Sequence, residues 1–440
     1  MSTFLTLTLV EAHAQVPSLR HIGLEEAVQL ALKQNHIVRI ARFKVAEQQD
    51  AKDIARSAYF PSIRNESRIL RVTDREFLEI GAGSFGTIAG TPVPEKSDLI
   101  SQGGQTYVTS GTTLVQPLSQ LFTRIKPQNE AAQADLTASV ADAQETQNEV
   151  ALKVHQIYYQ LLISQLRRGA IEAKIRADED LEGERVQQVK YGSTLNEELI
   201  ESRAQLLQAK QDLLTTQLQI SDLTMQLDDA MGLAVTTQLA LDSTVPAVQE
   251  RCQREECVKI ALASHPEIVA ARAEVEKASA GVRLAKADYF PDISAFARYS
   301  YQSNVPFLAR NFGSFGAELT YELFDGGKKR AAMRESNSKL AEAKENLARI
   351  TDDVEVRVEA SLNRLDRTKE MVNVSQQVLA LRTESSRVTA QQLSKGEALL
   401  SQANTAIAQV LDAQTLFLQS QLQYVQAHDE LIQAMGLAPQ

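Results

Sequence analysis

The chain has 440 residues, 43% hydrophobic and 23% charged, so it is neither a disordered tail nor a bundle of membrane-spanning helices. Its 56 acidic residues outnumber 46 basic ones, and the net charge of −10 excludes the basic footprint of a nucleic-acid binder. Trp is absent and aromatics make up 5%, a composition suited to long helices packed through small aliphatic residues.

At the start, Phe4 to Val10 is a short apolar run, and Ala12-His13-Ala14 has the A-x-A form of a signal-peptidase site. Residues 1–14 are therefore expected to be a signal peptide truncated of its basic start. No later segment offers the roughly 20 mainly apolar residues of a spanning helix. The longest charge-free run, Leu99 to Thr123, is broken by three glycines and Pro117. Any membrane crossing must be made by strands.

The rest of the chain is written twice. At an offset of 230, Glu26-Ala27-Val28-Gln29-Leu30-Ala31-Leu32 falls on Glu256-Cys257-Val258-Lys259-Ile260-Ala261-Leu262, and Tyr59-Phe60-Pro61 on Tyr289-Phe290-Pro291. Later the offset is 204, where Gly192 meets Gly396 and Ala230-Met231-Gly232-Leu233 meets Ala434-Met435-Gly436-Leu437. The first repeat, 15–233, is longer through Gly81 to Gly104, a Gly/Ser/Thr/Pro-rich stretch that reads as a surface loop. A linker, 234–253, leads to the second repeat, 254–440.

Each repeat has one element order. Two amphipathic helices (about 24–35 and 37–58, then 255–264 and 267–288) precede a strand pair (62–72 with 106–118, then 292–302 with its partner). In that partner, Phe315, Ala317, Leu319, Tyr321 and Leu323 alternate with Ser314, Gly316, Glu318, Thr320 and Glu322, one apolar face and one polar. Leu319 and Tyr321 are expected at mid-strand on the apolar side. Thr123 to Lys190 and Lys328 to Lys395 then read as helices on the order of 100 Å long. They turn at Gly192 and Gly396 and return to Met231 and Met435.

The returning helices carry two adjacent seven-residue seams: Leu199, Leu206, Leu213, Ile220, Leu227 beside Ile200, Leu207, Leu214, and Val410, Phe417, Tyr424, Leu431 beside Leu411, Leu418, Val425, Ile432. A helix with two seams touches a partner on each side, as staves do in a cylinder. A two-helix hairpin in an ordinary bundle is the plainer alternative. Four strands with one apolar face cannot close alone, and an open edge does not survive in lipid, so a membrane role requires further copies of the chain.

In four features the chain resembles the TolC-type outer-membrane efflux family: Leu24 to Leu32, Tyr289-Phe290-Pro291 before a strand, Leu323-Phe324-Asp325-Gly326-Gly327-Lys328-Lys329-Arg330 at a strand-to-helix junction, and a glycine turn between long helices in both halves. The resemblance implies a mainly α protomer with a small β part. Three protomers would form a homotrimer with a 12-stranded β-barrel and a long α-helical coiled-coil barrel, in the bacterial outer membrane and extending into the periplasm. It implies a passive export channel of a tripartite efflux or type I secretion system, opened by an inner-membrane pump and a periplasmic adaptor protein. It implies no enzyme activity, and no cofactor is expected.

By the same resemblance, Tyr191, Gly192, Ser193, Lys395 and Gly396 are the periplasmic tip where an adaptor docks. Glu198 and Glu201 are gate candidates, expected to pair with Lys395 or a nearby cation. The second repeat departs from the family, with Gln402 and Thr405 where an acidic ring is usual. Arg124, Lys126, Lys328, Lys329 and Arg330 would lie at the inner-leaflet headgroups, or simply solvate a helix start. Asp325 is placed to cap the helix that follows.

Other chemistry is sparse. Cys252 and Cys257 would meet an oxidising compartment, and a disulfide and two thiols are both open. His21, His36, His155, His265 and His428 show no metal-ligand spacing. The rival class is a soluble periplasmic coiled-coil scaffold or adaptor, which would share the helices without needing the strands.

Overall fold

The computed structural model describes residues 20–74, 77–101, 103–235, 237, 239–242, 248, 252–304 and 309–439. The expected signal peptide, 1–14, and much of the expected linker, 234–253, lie outside the described residues. In chain order the elements begin with β1 (Arg20–Ile22), α1 (Leu24–Gln34), α2 (His36–Ser57) and β2 (Ser62–Arg71). The short strands β3 (Phe77–Ile80), β4 (Thr87–Ile88), β5 (Thr91–Pro92) and β6 (Asp98–Ser101) lead to β7 (Thr106–Pro117). A π-helical turn, Leu121–Ile125, opens α3 (Lys126–Lys190), which α4 (Asn196–Met231) follows. The second repeat comprises β8 (Leu239–Leu241), α5 (Arg254–Ser264), α6 (Pro266–Ala287), β9 (Asp292–Ser303), β10 (Asn311–Thr320), α7 (Lys328–Ser394) and α8 (Leu400–Ala434).

The elements fall into two compact units. A strand unit holds Glu47–Leu136 and Ala273–Glu345; a helical unit holds the described residues up to Ala46, Thr137–Arg272 and those from Asn346 onward.

In the strand unit one antiparallel sheet has the order β10-β9-β7-β2. The residues expected to form a surface loop instead nest two further hairpins, β3 with β6 and β4 with β5. The strand β10 ends at Thr320, so Tyr321 and Leu323, expected on its apolar face, lie beyond it, and Leu319 sits at its end. The turn made by Asp325-Gly326-Gly327 takes over there: Asp325 accepts the amides of Gly327 and Lys329, both at 2.8 Å, and starts α7. Those two amides hold its carboxyl below the usual carboxylate range.

The helical unit has two cores, one built mainly by the first repeat with Leu422 and Val425 of α8, the other by the second. Ala27, Val28 and Ala31 on one face of α1 pack with Val38, Val154, Leu161, Leu227 and Met231. Wholly buried Leu227 contributes about 1.5–3 kcal/mol in lost apolar exposure. The second repeat repeats this with Cys257, Ala261, Ile268, Val354, Val358, Leu431 and Met435. Glu25 and Glu26 in the first turn of α1 and Lys33 in its last turn complement its dipole.

The corner between short helices is made by a capping side chain. Asn35 Oδ1 accepts the Ile37 amide at 2.8 Å, and 230 residues on, His265 Nδ1 accepts the Glu267 amide at 3.2 Å. Two pairings complete the unit, one without a signal in the sequence and one left open by it. The strands β1 and β8 pair in parallel over three residues each. Cys252 and Cys257 form a disulfide with a Cα–Cα separation of 5.5 Å.

The two seams of α4 differ in burial. Leu199, Leu206 and Leu227 are buried, whereas Ile200, Leu207 and Leu214 are 60–68% exposed. On α8 the seam residues Val425, Leu431 and Ile432 are buried, but nearer the tip Ala403, Ala406, Ala413 and Ser420 are buried while Val410, Phe417 and Tyr424 are half-buried. Small residues let neighbouring helices approach more closely than the expected seam would.

Candidate functional site

Register gives the sheet two unlike faces. Across the four strands Ile63 pairs with Leu114, Leu114 with Ala297, and Ala297 with Phe315. Alternation places Ile69, Val108, Ile293, Ala295, Tyr299, Tyr301, Ala317 and Leu319 on that same face. Its only charged residue is Arg71, at the end of β2. A polar group within it is internally bonded: Asn65 Nδ2 donates to Thr112 Oγ1 at 2.9 Å, and Ser67 Oγ to Asn65 Oδ1 at 2.9 Å. The opposite face carries Arg64, Glu66, Arg68, Asp292, Arg298 and Glu318. Among the described residues β2 and β10 are each paired on one side only.

One end of the sheet bears a belt of exposed aromatics. Tyr59 and Phe60 precede β2, Tyr289 and Phe290 precede β9, Phe122 follows β7 and Phe324 follows β10. Aromatic girdles of this kind flank the apolar band of membrane barrels. Phe122 was not singled out from the sequence and Phe324 only as part of the junction motif, although the repeated Tyr-Phe-Pro marks the same level.

The basic residues at this end split into two groups. Lys126, Lys328 and Arg330 are exposed. Arg124 Nη2 instead lies 2.9 Å from Asp288, and Lys329 Nζ donates to the Glu322 carbonyl at 3.2 Å while lying 5.3 Å from the Tyr321 ring centre. These last two are held by the protein rather than presented outward.

The tip residues sit in matched five-residue turns. Gly192 and Gly396 adopt φ of 69° and 76°, a region that favours glycine. Past each glycine the chain closes on the helix end, Ser193 N to Gln188 O at 2.8 Å and Glu397 N to Gln392 O at 2.9 Å. Tyr191 is 78% exposed, and Ser193 and Lys395 are also exposed.

Of the gate candidates, Glu198 pairs with Arg185 of its own hairpin at 2.7 Å, not with Lys395. Glu201 accepts from Gln205 one turn on, at 3.1 Å. Gln402 Oε1 accepts the Leu399 amide at 3.0 Å and so caps α8, while Thr405 is exposed.

The contacts that join the two hairpins involve other residues. Glu184 on α3 accepts from the Ser401 amide at 2.9 Å and from its hydroxyl, and Asp180 accepts from Asn404 Nδ2. The acidic run 178–184 is the sequence signal that marks them. Arg203 with Glu182 at 2.8 Å and Lys210 with Glu179 at 3.0 Å continue the ladder within the first hairpin.

A charge-poor face, an aromatic belt and edges unpaired among the described residues are the features of a membrane-barrel wall. Among the described residues no helix is long and apolar enough to cross a membrane. Residues 257–437 match the family model for outer membrane efflux proteins.

Solved structures share the fold. The Campylobacter jejuni CmeC outer membrane channel is 16% identical, with a TM-score of 0.77 over 94% of this chain and 85% of that one. The outer membrane protein VceC from Vibrio cholerae is 16% identical, with a TM-score of 0.73 over 94% and 96%. The open state of the Neisseria gonorrhoeae MtrE outer membrane channel is 16% identical, with a TM-score of 0.72 over 94% and 89%. No curated protein sequence matches the chain. The family and these neighbours are outer-membrane channels rather than enzymes.

Proposed function

We propose that the chain is one protomer of a homotrimeric, passive export channel in the outer membrane, continued into the periplasm by its long helices. The observation that carries this reading is the four-stranded sheet, open at β2 and β10, with a face whose only charge is Arg71. Three copies supply twelve strands, enough to close a membrane barrel and remove both edges. The exposed seam Ile200, Leu207 and Leu214 supports self-association, because it is an apolar stripe with a seven-residue period and no cover among the described residues.

In this reading an inner-membrane pump supplies the energy, in a tripartite efflux or type I secretion system. A periplasmic adaptor docks at Tyr191 to Ser193 and Lys395 to Gly396 and displaces the contacts that close the tip.

Cell fractionation with gel migration before and after heating tests the assembly, and planar-bilayer recording tests the pore. A membrane-bound, heat-modifiable trimer that conducts is expected. A soluble monomer would replace this reading with a periplasmic scaffold or adaptor.

A further inference from the structure

Glu145 on α3 and His265 and Glu267 at the α5–α6 corner each bring one potential ligand atom to within 4.8 Å of the others. His265 is wholly buried. Its Nδ1 is taken by the Glu267 amide, and its Nε2 has no partner among the described residues. Glu145 receives a hydrogen bond from Gln433 Nε2 on Oε1 at 2.8 Å, while its Oε2 is buried and has no partner among them either.

The first repeat shows that the corner needs no histidine. There Asn35 caps Ile37 through Oδ1 and donates Nδ2 to the Ala230 carbonyl at 2.9 Å, so both of its polar atoms are used. His265 replaces that satisfied amide with a longer ring whose second nitrogen has no partner among the described residues. Buried polar atoms are normally paired, and an unpartnered imidazole nitrogen grouped with two carboxylates, one with an unpartnered oxygen, points to a ligand.

We propose that Glu145, His265 and Glu267 bind a divalent first-row transition metal of the zinc class. One imidazole with two carboxylates suits such an ion, and no thiolate is at hand to favour a softer one. Ligand bonds of 2.0–2.2 Å put neighbouring ligand atoms about 3–4 Å apart, so the site closes by a small side-chain rotation.

Arg357 holds Glu267 with both terminal nitrogens, at 2.8 and 2.6 Å, and keeps it ionised and oriented. Each of those oxygens retains a lone pair for the metal. With both carboxyls ionised, two carboxylates against one guanidinium offer a dication a net negative charge. Coordination through Nε2 moves the ring proton to Nδ1 and gives up the Glu267 amide bond, a long neutral hydrogen bond that is weak beside a metal–nitrogen bond.

The test is zinc titration of the purified full chain in detergent, after chelator treatment, against a chromophoric competitor. One zinc per chain is expected. Affinity should fall by at least about tenfold in His265→Asn, which keeps a capping side chain of the kind at Asn35, and in Glu145→Gln, which keeps a partner for Gln433. Cobalt added to the unmodified protein should give visible bands of a site with a histidine nitrogen ligand. Absence of zinc binding, equal binding in the parent and both variants, or a cobalt spectrum of the fully hydrated ion would each overturn the proposal.

Discussion

His155 Nδ1 donates to Asp429 Oδ2 at 2.6 Å in the interior of the helical unit, joining α3 of the first repeat to α8 of the second. The side chains are 1% and 6% exposed, and the Tyr159 hydroxyl adds a second bond to the same oxygen at 3.3 Å. Burial alone would raise the Asp429 carboxyl, but the hydrogen bonds from His155 and His428 outweigh it and hold its pKa below the ordinary carboxylate value. The stability this contributes is present above the unfolded carboxylate pKa of about 4 and is lost as pH falls through the lower folded value.

Asp429→Ala leaves the buried His155 ring without its partner and should cost about 1–3 kcal/mol. His155→Leu combined with Asp429→Leu should cost less than the two single changes summed. Denaturation of all variants checks this, and strict additivity would show that the pair is not coupled.

A second buried carboxylate has the opposite sign. Burial pushes Asp228 up to about 6, and neither of its carboxylate oxygens has a hydrogen-bond partner among the described residues. It lies in the last turn of α4, where the dipole also disfavours a negative charge. Between the ordinary value of 3.8 and about 6 the folded chain holds a proton that the unfolded chain has lost. Stability therefore falls as pH climbs through that window, and the full penalty applies above it. Asp228→Asn should raise the melting temperature above pH 6 and flatten its slope between pH 4 and 6. An unchanged slope would remove Asp228 as its source.

How far the sequence reached can be judged from single residues. The offset of 230 placed Asn35 on His265, and the ends of α1 and α6 differ from expectation by one residue because these caps mark them. The glycines at 192 and 396 located both turns, since little else interrupts two long helical patterns. Period alone did not decide which α4 seam is covered, because Leu206 and Leu207 follow the same heptad and differ only in what faces them. The partner of Glu198 was misplaced for a related reason: choosing Arg185 over Lys395 needs the rotation of α3 about its axis. Three-residue strands such as β1 carry too few residues to show a period at all.

The adjacent leucines separate folding from assembly. Leu206→Asp puts a charge where the side chain is 7% exposed and should unfold the helical unit or lower its melting temperature sharply. Leu207→Asp, at a position 68% exposed in the single chain, should leave the protomer helical and reduce the yield of trimer. Circular dichroism with gel migration distinguishes them. Equal effects at both positions would mean that the second seam is not an interface.

The sheet faces make a similar pair. Phe315 lies mid-strand on the charge-poor face and Ser314 on the other. Phe315→Arg should cost about 2–4 kcal/mol of folding stability in a bilayer, the penalty for a cation near mid-depth, while Ser314→Arg should be tolerated. Leu319, at the end of β10, should fall between them. Folding yields in lipid vesicles read the difference, and equal damage from both arginines would mean that this sheet is no membrane wall.

The tip gives the prediction on which the functional reading depends most. Within the first hairpin, Glu198 with Arg185 is an ion pair half open to water, and such pairs contribute about 0–1 kcal/mol. Breaking it leaves the relation between the hairpins unchanged, so Glu198→Gln should have little effect on conductance. Glu184 and Asp180 differ because they bridge hairpins, binding Ser401 and Asn404 at the start of α8. Hydrogen bonds to a charged acceptor are worth about 1.5–3 kcal/mol each where they are sheltered, strong enough to hold a closed tip and weak enough for a docking partner to replace. Glu184→Ala with Asp180→Ala should therefore raise the single-channel conductance of the isolated protein in planar bilayers, with the trimer intact. Restoring one acceptor as Glu184→Gln should return part of the closed behaviour, because an amide oxygen still accepts from Ser401. Unchanged conductance in the double alanine variant, or an increase with Glu198→Gln alone, would place the closing contacts elsewhere.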